Sequence, residues 1–186
     1  KALPAKISSL NYLEARGLAE LRESLVQRLA SRGINVKPSN ILITSGSLQA
    51  LQLISVGMLK PGAQVYTETP TYLKSLQVFQ SAGISFTGIA MDKNGLVPWK
   101  IGKVPNGSLL YTIPTYQNPT TLVMTAERRR EVFDFCSKHR LPILEDDAYG
   151  ELHFDGNTPP LPIKALDATG VVLYTGTISK TLAPGF

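Results

Sequence analysis

Val171-Val172-Leu173-Tyr174-Thr175-Gly176-Thr177-Ile178-Ser179-Lys180 is the stretch on which the reading of this chain turns. Its β-branched and aromatic run predicts a buried strand, and the strand stops at a glycine followed by two hydroxyl residues and a single lysine. In open α/β sheets, ligands collect outside the carboxyl ends of strands. A lysine partly withdrawn from water there is easier to deprotonate and more nucleophilic than a solvated one, and a Schiff base is the reaction that suits such an amine. Taken alone, the same lysine reads as a solvated surface charge, as most lysines are. The segments before it decide between the two.

Immediately upstream, Glu151 to Ala168, with Pro159-Pro160 and Pro162, reads as an irregular loop, and His153 within it as a surface residue. Leu141 to Leu144 predicts a strand running into Glu145-Asp146-Asp147-Ala148-Tyr149. Three adjacent carboxylates after a buried strand repel one another, so a cation should offset at least one of them; a metal and a protonated ring nitrogen both answer. Thr125 begins a helix with Glu127 in its first turn. Val132, Phe133 and Cys136 form its inner face, which makes Cys136 a small core residue. His139 ends this helix, where a cation is favourable, and Arg128-Arg129-Arg130 reads as its solvated face rather than a nucleic-acid stripe. Leu109 to Ile113 is a further strand, ending in the polar loop Pro114-Thr115-Tyr116-Gln117-Asn118-Pro119-Thr120-Thr121.

Strand and helix alternate through the first half as well. Asn11 to Gly17 reads as a loop, and Leu18, Leu21, Leu25, Val26 and Leu29 recur at helical spacing up to Gly33. Asn40 to Thr44 predicts a strand, Leu48 to Leu59 a helix, Gln64 to Glu68 a strand, Pro70-Thr71-Tyr72 the opening of a helix to about Ala82, and Ile84 to Met91 another strand. Between the first strand and its helix lies Ser45-Gly46-Ser47. Backbone N–H groups at a helix start have no intrahelical acceptor and sit at the positive end of the dipole, so an anion such as a phosphate fits there. Ser47 acting as a helix cap explains the same residues, and both can hold. The alternation implies an α/β fold of three layers, a mostly parallel sheet flanked by helices on both faces.

With 186 residues, 43% of them hydrophobic, the chain can bury a sizeable core, and one domain is expected over 1–186. No apolar run reaches the length of a membrane span, and no signal-peptide pattern opens the chain. The single cysteine leaves no internal disulfide and no zinc-type cluster, which suits the cytoplasm. A net charge of +5 is scattered rather than clustered. The chain opens on Lys1 and halts at Pro184-Gly185-Phe186, directly after its most site-like residues, so it is expected to be a piece of something longer.

Taken in order, the nest at Ser45-Gly46-Ser47, the aromatic Tyr72, the loop at Asn118, Asp146 with Tyr149 three residues on, and Thr177-Ile178-Ser179-Lys180 resemble the large domain of fold-type I, pyridoxal-phosphate-dependent aminotransferases of class I/II. The resemblance extends from about Tyr12 to Phe186. It implies pyridoxal 5'-phosphate as cofactor and no metal. Lys180 would be the Schiff-base lysine and the base that moves a proton between substrate Cα and cofactor C4′. Asp146 would pair with the pyridine nitrogen and keep it protonated, preserving the ring as an electron sink. Asn118 and Tyr149 would hydrogen-bond the ring 3-oxygen, and Tyr72 would stack on the ring. The phosphate would lie on the helix opening at Ser47 and Leu48, with Thr177 and Ser179 closing on it.

Two departures from the family pattern stand out. The usual Asn-Pro-Thr-Gly is Asn118-Pro119-Thr120-Thr121 here, and the chain ends where the family places a phosphate-anchoring arginine, without the C-terminal small domain. Gly150 to Phe154, Ala165-Leu166-Asp167 and the wording from Gly176 to Gly185 look like two neighbouring groups. One is the aminotransferases similar to the aminoadipate and kynurenine enzymes; the other is the MocR-like branch of the GntR transcriptional regulators. The first implies amino-group transfer between an amino acid and a 2-oxo acid. The second implies an effector-sensing domain that reaches DNA only through a separate N-terminal helix-turn-helix. A homodimer is implied by either.

Overall fold

A computed structural model describes residues 14–152, 156 and 158–182. Expectations placed on Asn11 to Leu13, on His153 and on Pro184 to Phe186 lie outside the described residues. The chain forms two compact units, Lys1–Thr44 and Ser45–Phe186.

In the first unit, helix α1 (Ala19–Ala30) follows the predicted periodicity. Arg22 is its buried residue; the guanidinium donates to the carbonyls of Gly17 and Pro38 and pairs with Glu14 at 2.7 Å. The strand expected at Asn40 to Thr44 does not form. A short 3₁₀ turn spans Pro38–Asn40, and the residues after it join no sheet among the described residues. An Ile-Leu-Ile run favours extended backbone, but a strand exists only where a neighbour takes up its N–H and C=O groups. Here Ile43 N–H donates to the Arg16 carbonyl, and the Ile43 side chain occupies the space where a Cβ at Gly17 would stand, 2.5 Å away.

Among the described residues the second unit is built on six strands: β1 (Gln64–Thr69), β2 (Ser85–Asp92), β3 (Gly95–Leu96), β4 (Leu109–Thr112), β5 (Ile143–Asp147) and β6 (Val172–Gly176). Their order across the sheet is β3-β2-β1-β4-β5-β6. All pairings are parallel except the short β2–β3 hairpin, which the sequence reading missed. Helices α2 (Ser47–Gly57), α3 (Leu73–Ser81) and α4 (Ala126–His139) complete it. Strand residues alternate between two apolar layers, as the two-residue period of a pleated strand requires. Val65, Leu109, Tyr111 and Leu144 pack with Leu51 of α2 and Phe79 of α3, whereas Tyr66, Leu110, Ile143 and Val172 pack with Val132 and Cys136 of α4. The three expected layers are thus α2 and α3, the sheet, and α4. Burial pushes the Cys136 thiol up to about 12, in keeping with an inert core position.

One expectation for α4 is overturned. Arg128 and Arg129 are buried, and only Arg130 of the three lies on the solvated face. Arg128 pairs with Asp92 and Glu131, donates to the carbonyls of Gly95 and Leu96, and lies 4.9 Å from the Trp99 ring centroid. Arg129 donates to the carbonyls of Met124, Pro114 and Leu161 and to Thr115 Oγ1. A guanidinium tolerates burial when its donors are spent in this way. No helix among the described residues is long and apolar enough to cross a membrane.

Candidate functional site

Because β1, β4, β5 and β6 are parallel, their carboxyl ends share one edge of the sheet. The chain order reverses between β1 and β4: β2 lies on one side of β1 and β4 on the other. Such a switch point opens a crevice between the loops that leave the two strands. A cavity of about 280 Å³ lies at this edge, lined by Ser45, Gly46, Ser47, Leu48, Tyr72, Ile113, Asn118, Asp146, Ala148, Tyr149, Thr177, Ser179 and Lys180. All nine residues singled out from the sequence are in that lining: Ser47, Leu48, Tyr72, Asn118, Asp146, Tyr149, Thr177, Ser179 and Lys180.

The start of α2 differs from the capping alternative. Gly46, not Ser47, occupies the cap position, at φ 84°, and the side chain of Gln49 accepts the N–H of Ser45 just before it. Ser47 is its first helical residue, so the positive end of the helix is presented by residues that line the cavity. Elsewhere in the lining Thr177 Oγ1 donates to Ser179 Oγ at 3.0 Å and accepts from Ser179 N–H at 3.2 Å, tying the two hydroxyls together. Lys180 follows in a turn closed by the Leu182 N–H to the Ile178 carbonyl. Its side chain was expected to be partly withdrawn from water; it is exposed and lines the cavity just beyond the end of β6.

Glu145, Asp146 and Asp147 do not follow β5, as expected, but are its last three residues, and all are buried. The pleat separates them. Glu145 accepts the N–H groups of Ile163 and Lys164, with Arg129 4.0 Å away, and Asp147 accepts the N–H of Gly150 and the hydroxyl of Tyr174. Asp146 points to the other face. It accepts the Tyr111 phenol O–H at 2.7 Å on Oδ2 and the Thr175 hydroxyl at a long 3.4 Å on Oδ1. Burial raises its proton affinity, only partly offset by those two hydroxyls. Among the described residues, no group of three His, Cys, Asp or Glu side chains is gathered as a metal site.

The loop after β4 is held by residues that the sequence reading passed over. Gln117 donates to Glu68 and to the Pro70 carbonyl, and its side-chain oxygen accepts from Thr120. Glu68 in turn accepts from Thr112 and from the Ile113 N–H. Burial pushes the Glu68 carboxyl up to about 7. This brace fixes the loop that carries Asn118. A glutamate closing an apolar strand was the available signal for it. Among the described residues the side chains of Asn118, Tyr149 and Lys180 make no hydrogen bond or ion pair, so these three line the cavity with donor and acceptor capacity unspent.

The crevice thus gathers a helix start, a buried carboxylate, amide and phenol side chains and an exposed amine. The chain is 48% identical over 182 residues to the uncharacterized HTH-type transcriptional regulator YisV of Bacillus subtilis, covering 96% of this chain and 37% of that protein. It superposes on an archaeal alanine:glyoxylate aminotransferase with a TM-score of 0.89 and 37% identity, covering 97% of this chain and 47% of that one. For the kynurenine aminotransferase of Pyrococcus horikoshii, solved in complex with PMP, the values are 0.84 and 39%, over 97% and 47%. The chain therefore spans less than half the length of the relatives it matches. Residues 4–185 match the family described as aminotransferase class I and II, and the chain belongs to that family.

Proposed function

We propose that the cavity binds pyridoxal 5'-phosphate and that the whole protein uses it to move an amino group between an amino acid and a 2-oxo acid. The observation that carries this reading is the placing of a buried carboxylate, Asp146, and a lysine amine, Lys180, on one cavity that the start of α2 also lines. The donor set fits the group. An ionised Asp146 would hold the proton on the ring nitrogen, which relieves the cost of burying that carboxylate without a cation. Asn118 and Tyr149 would bind the ring 3-oxygen through side chains that have no other partner among the described residues. Tyr72, half-buried at the cavity wall, would cover a ring face. The N-terminal residues of α2, with Thr177 and Ser179, would take the phosphate.

When bound, pyridoxal phosphate supplies an electron sink conjugated to the amino group of the substrate. Lys180 would hold the cofactor covalently through Nζ in the resting protein and serve as base for the substrate Cα proton. Its exposure would leave the site open to a substrate amine arriving from solvent. In the full-length protein, borohydride reduction after incubation with pyridoxal phosphate is expected to fix the cofactor on the peptide containing Lys180, with a yellow absorbance band beforehand. Lys180→Ala is expected to lose both. Matching spectra for the two proteins would refute the assignment.

A second reading has its own support: identity to the HTH-type regulator is 48%, against 37% and 39% for the two aminotransferase structures. In that reading the same residues bind the cofactor, and exchange of Lys180 for an effector amine shifts a conformational equilibrium. Incubating full-length protein with paired amino and 2-oxo acids separates the two. Sustained turnover favours the enzyme, and a single half-reaction favours the sensor.

A further inference from the structure

Tyr111 lies in the middle of β4, fully buried in the apolar layer formed by Leu51, Phe79, Leu109 and Leu144, with its ring edge-on to Phe79 at 5.6 Å. Packing alone asks for a phenylalanine here, because burying a phenol oxygen among aliphatic carbons is costly unless it is hydrogen-bonded. The oxygen donates to Asp146 Oδ2 at 2.7 Å, and the buried Ser75 hydroxyl of α3 is its other polar neighbour. The other carboxylate oxygen keeps only the 3.4 Å contact with Thr175.

We infer that Tyr111 is a positioning residue for Asp146: its phenol O–H occupies Oδ2 from beneath the cavity floor and leaves Oδ1 to meet the ring nitrogen of pyridoxal phosphate. The inference rests on the proposed function and adds to it a residue that does not line the cavity. The edge-on Phe79 contact and the β4–β5 pairing, in which Tyr111 stands opposite Leu144, fix the phenol in place. Three other titratable groups bear on the carboxylate: Glu68 on β1, Asp147 on β5 itself, and Tyr111. Lys180 and Tyr149 share the cavity with it. A hydrogen bond donated to the ionised form lowers a carboxyl's proton affinity, so removing the phenol oxygen raises it.

The test is pyridoxal phosphate affinity of the full-length protein as a function of pH. If ionised Asp146 is required, affinity falls as pH falls through its titration. Tyr111→Phe is expected to move the midpoint of that fall upward by about one pH unit, the size that one hydrogen bond to a charged group supports. Incorporating 3-fluorotyrosine at position 111, a stronger donor of nearly the same shape, is expected to move it downward, and this keeps the test open should the phenylalanine variant fold poorly. In an Asp146→Asn background neither change should move anything. An unchanged midpoint, or affinity lost equally at every pH, would overturn the role of Tyr111 while leaving the cofactor site standing. A parent protein that binds no pyridoxal phosphate at any pH would overturn the proposed function and this inference together.

Discussion

Glu145 and Asp146 are neighbours on one strand, both carboxylates and both buried, yet they face opposite layers and live in different chemistry. On the α4 side Glu145 is fully engaged, receiving two backbone N–H bonds from the Ile163 turn with Arg129 beside it. On the α2 and α3 side Asp146 has one short bond, one long one, and a cavity. The difference shows what buried charge is for in each place. A saturated carboxylate ties a loop to a sheet, whereas an under-saturated one at a cavity holds its remaining capacity for a ligand.

The comparison predicts opposite outcomes for removing a charge on either face. Arg129 is 1% exposed and clamps three carbonyls and the Thr115 hydroxyl. Arg129→Met leaves those acceptors and Glu145 uncompensated, and is expected to lower unfolding free energy by about 3 to 5 kcal/mol. Asp146→Asn is expected to cost little stability, since burial already disfavours its charge, but to lower pyridoxal phosphate affinity by about a hundredfold or more, the scale of losing a charge-assisted bond in a buried site. Urea unfolding and cofactor titration on both variants check the pair. Equal stability losses would erase the distinction between the faces.

A smaller effect sharpens the α4 side. Burial pushes the Glu145 carboxyl up to about 7, against the lowering effect of the Lys164 N–H and Arg129. A carboxyl whose proton affinity is raised on folding contributes stability that is fully present below its unfolded pKa of about 4.5 and is lost as pH rises through about 7. Unfolding free energy is therefore expected to decline across that window, with Glu68, also at about 7, adding to the slope. Glu145→Gln should flatten the decline, whatever it does to stability at one pH. An unchanged slope would show that the N–H bonds keep Glu145 ionised throughout.

Most of the sheet was legible because its strands carry β-branched runs between turn residues, and the helices carry apolar periodicity. The site was legible because parallel strands bring their carboxyl-end loops together, so residues far apart in sequence line one cavity. What escaped the reading depends on partners rather than pattern. Ile41 to Thr44 has the composition of a strand, yet lacks a neighbour within the described sheet. Arg128 and Arg129 look solvated in a run of three, until the Gly95, Leu96 and Pro114 carbonyls that absorb their donors are known. Tyr111 reads as one more strand aromatic; only the opposing Asp146 reveals why it carries an oxygen.

The loop from β4 to α4 joins the two faces compared above, and its weakest link is expected at Thr121. Arg129 holds its first residues from the α4 side, Asn118 lines the cavity, and Thr121 turns the chain back at φ 61°. A β-branched residue in the left-handed region is strained by roughly 1–2 kcal/mol, and the family that this segment resembles places glycine there. Against the strain stand the Thr121 hydroxyl bond to the Thr120 carbonyl at 2.6 Å, which is local and exposed, and the greater freedom of glycine in the unfolded chain. Thr121→Gly is therefore expected to raise unfolding free energy by about 0.5–1 kcal/mol and to leave cofactor affinity within about twofold. A stability loss would mean that the hydroxyl, rather than the backbone geometry, governs this turn, and that the loop is held from its α4 end by side chains throughout.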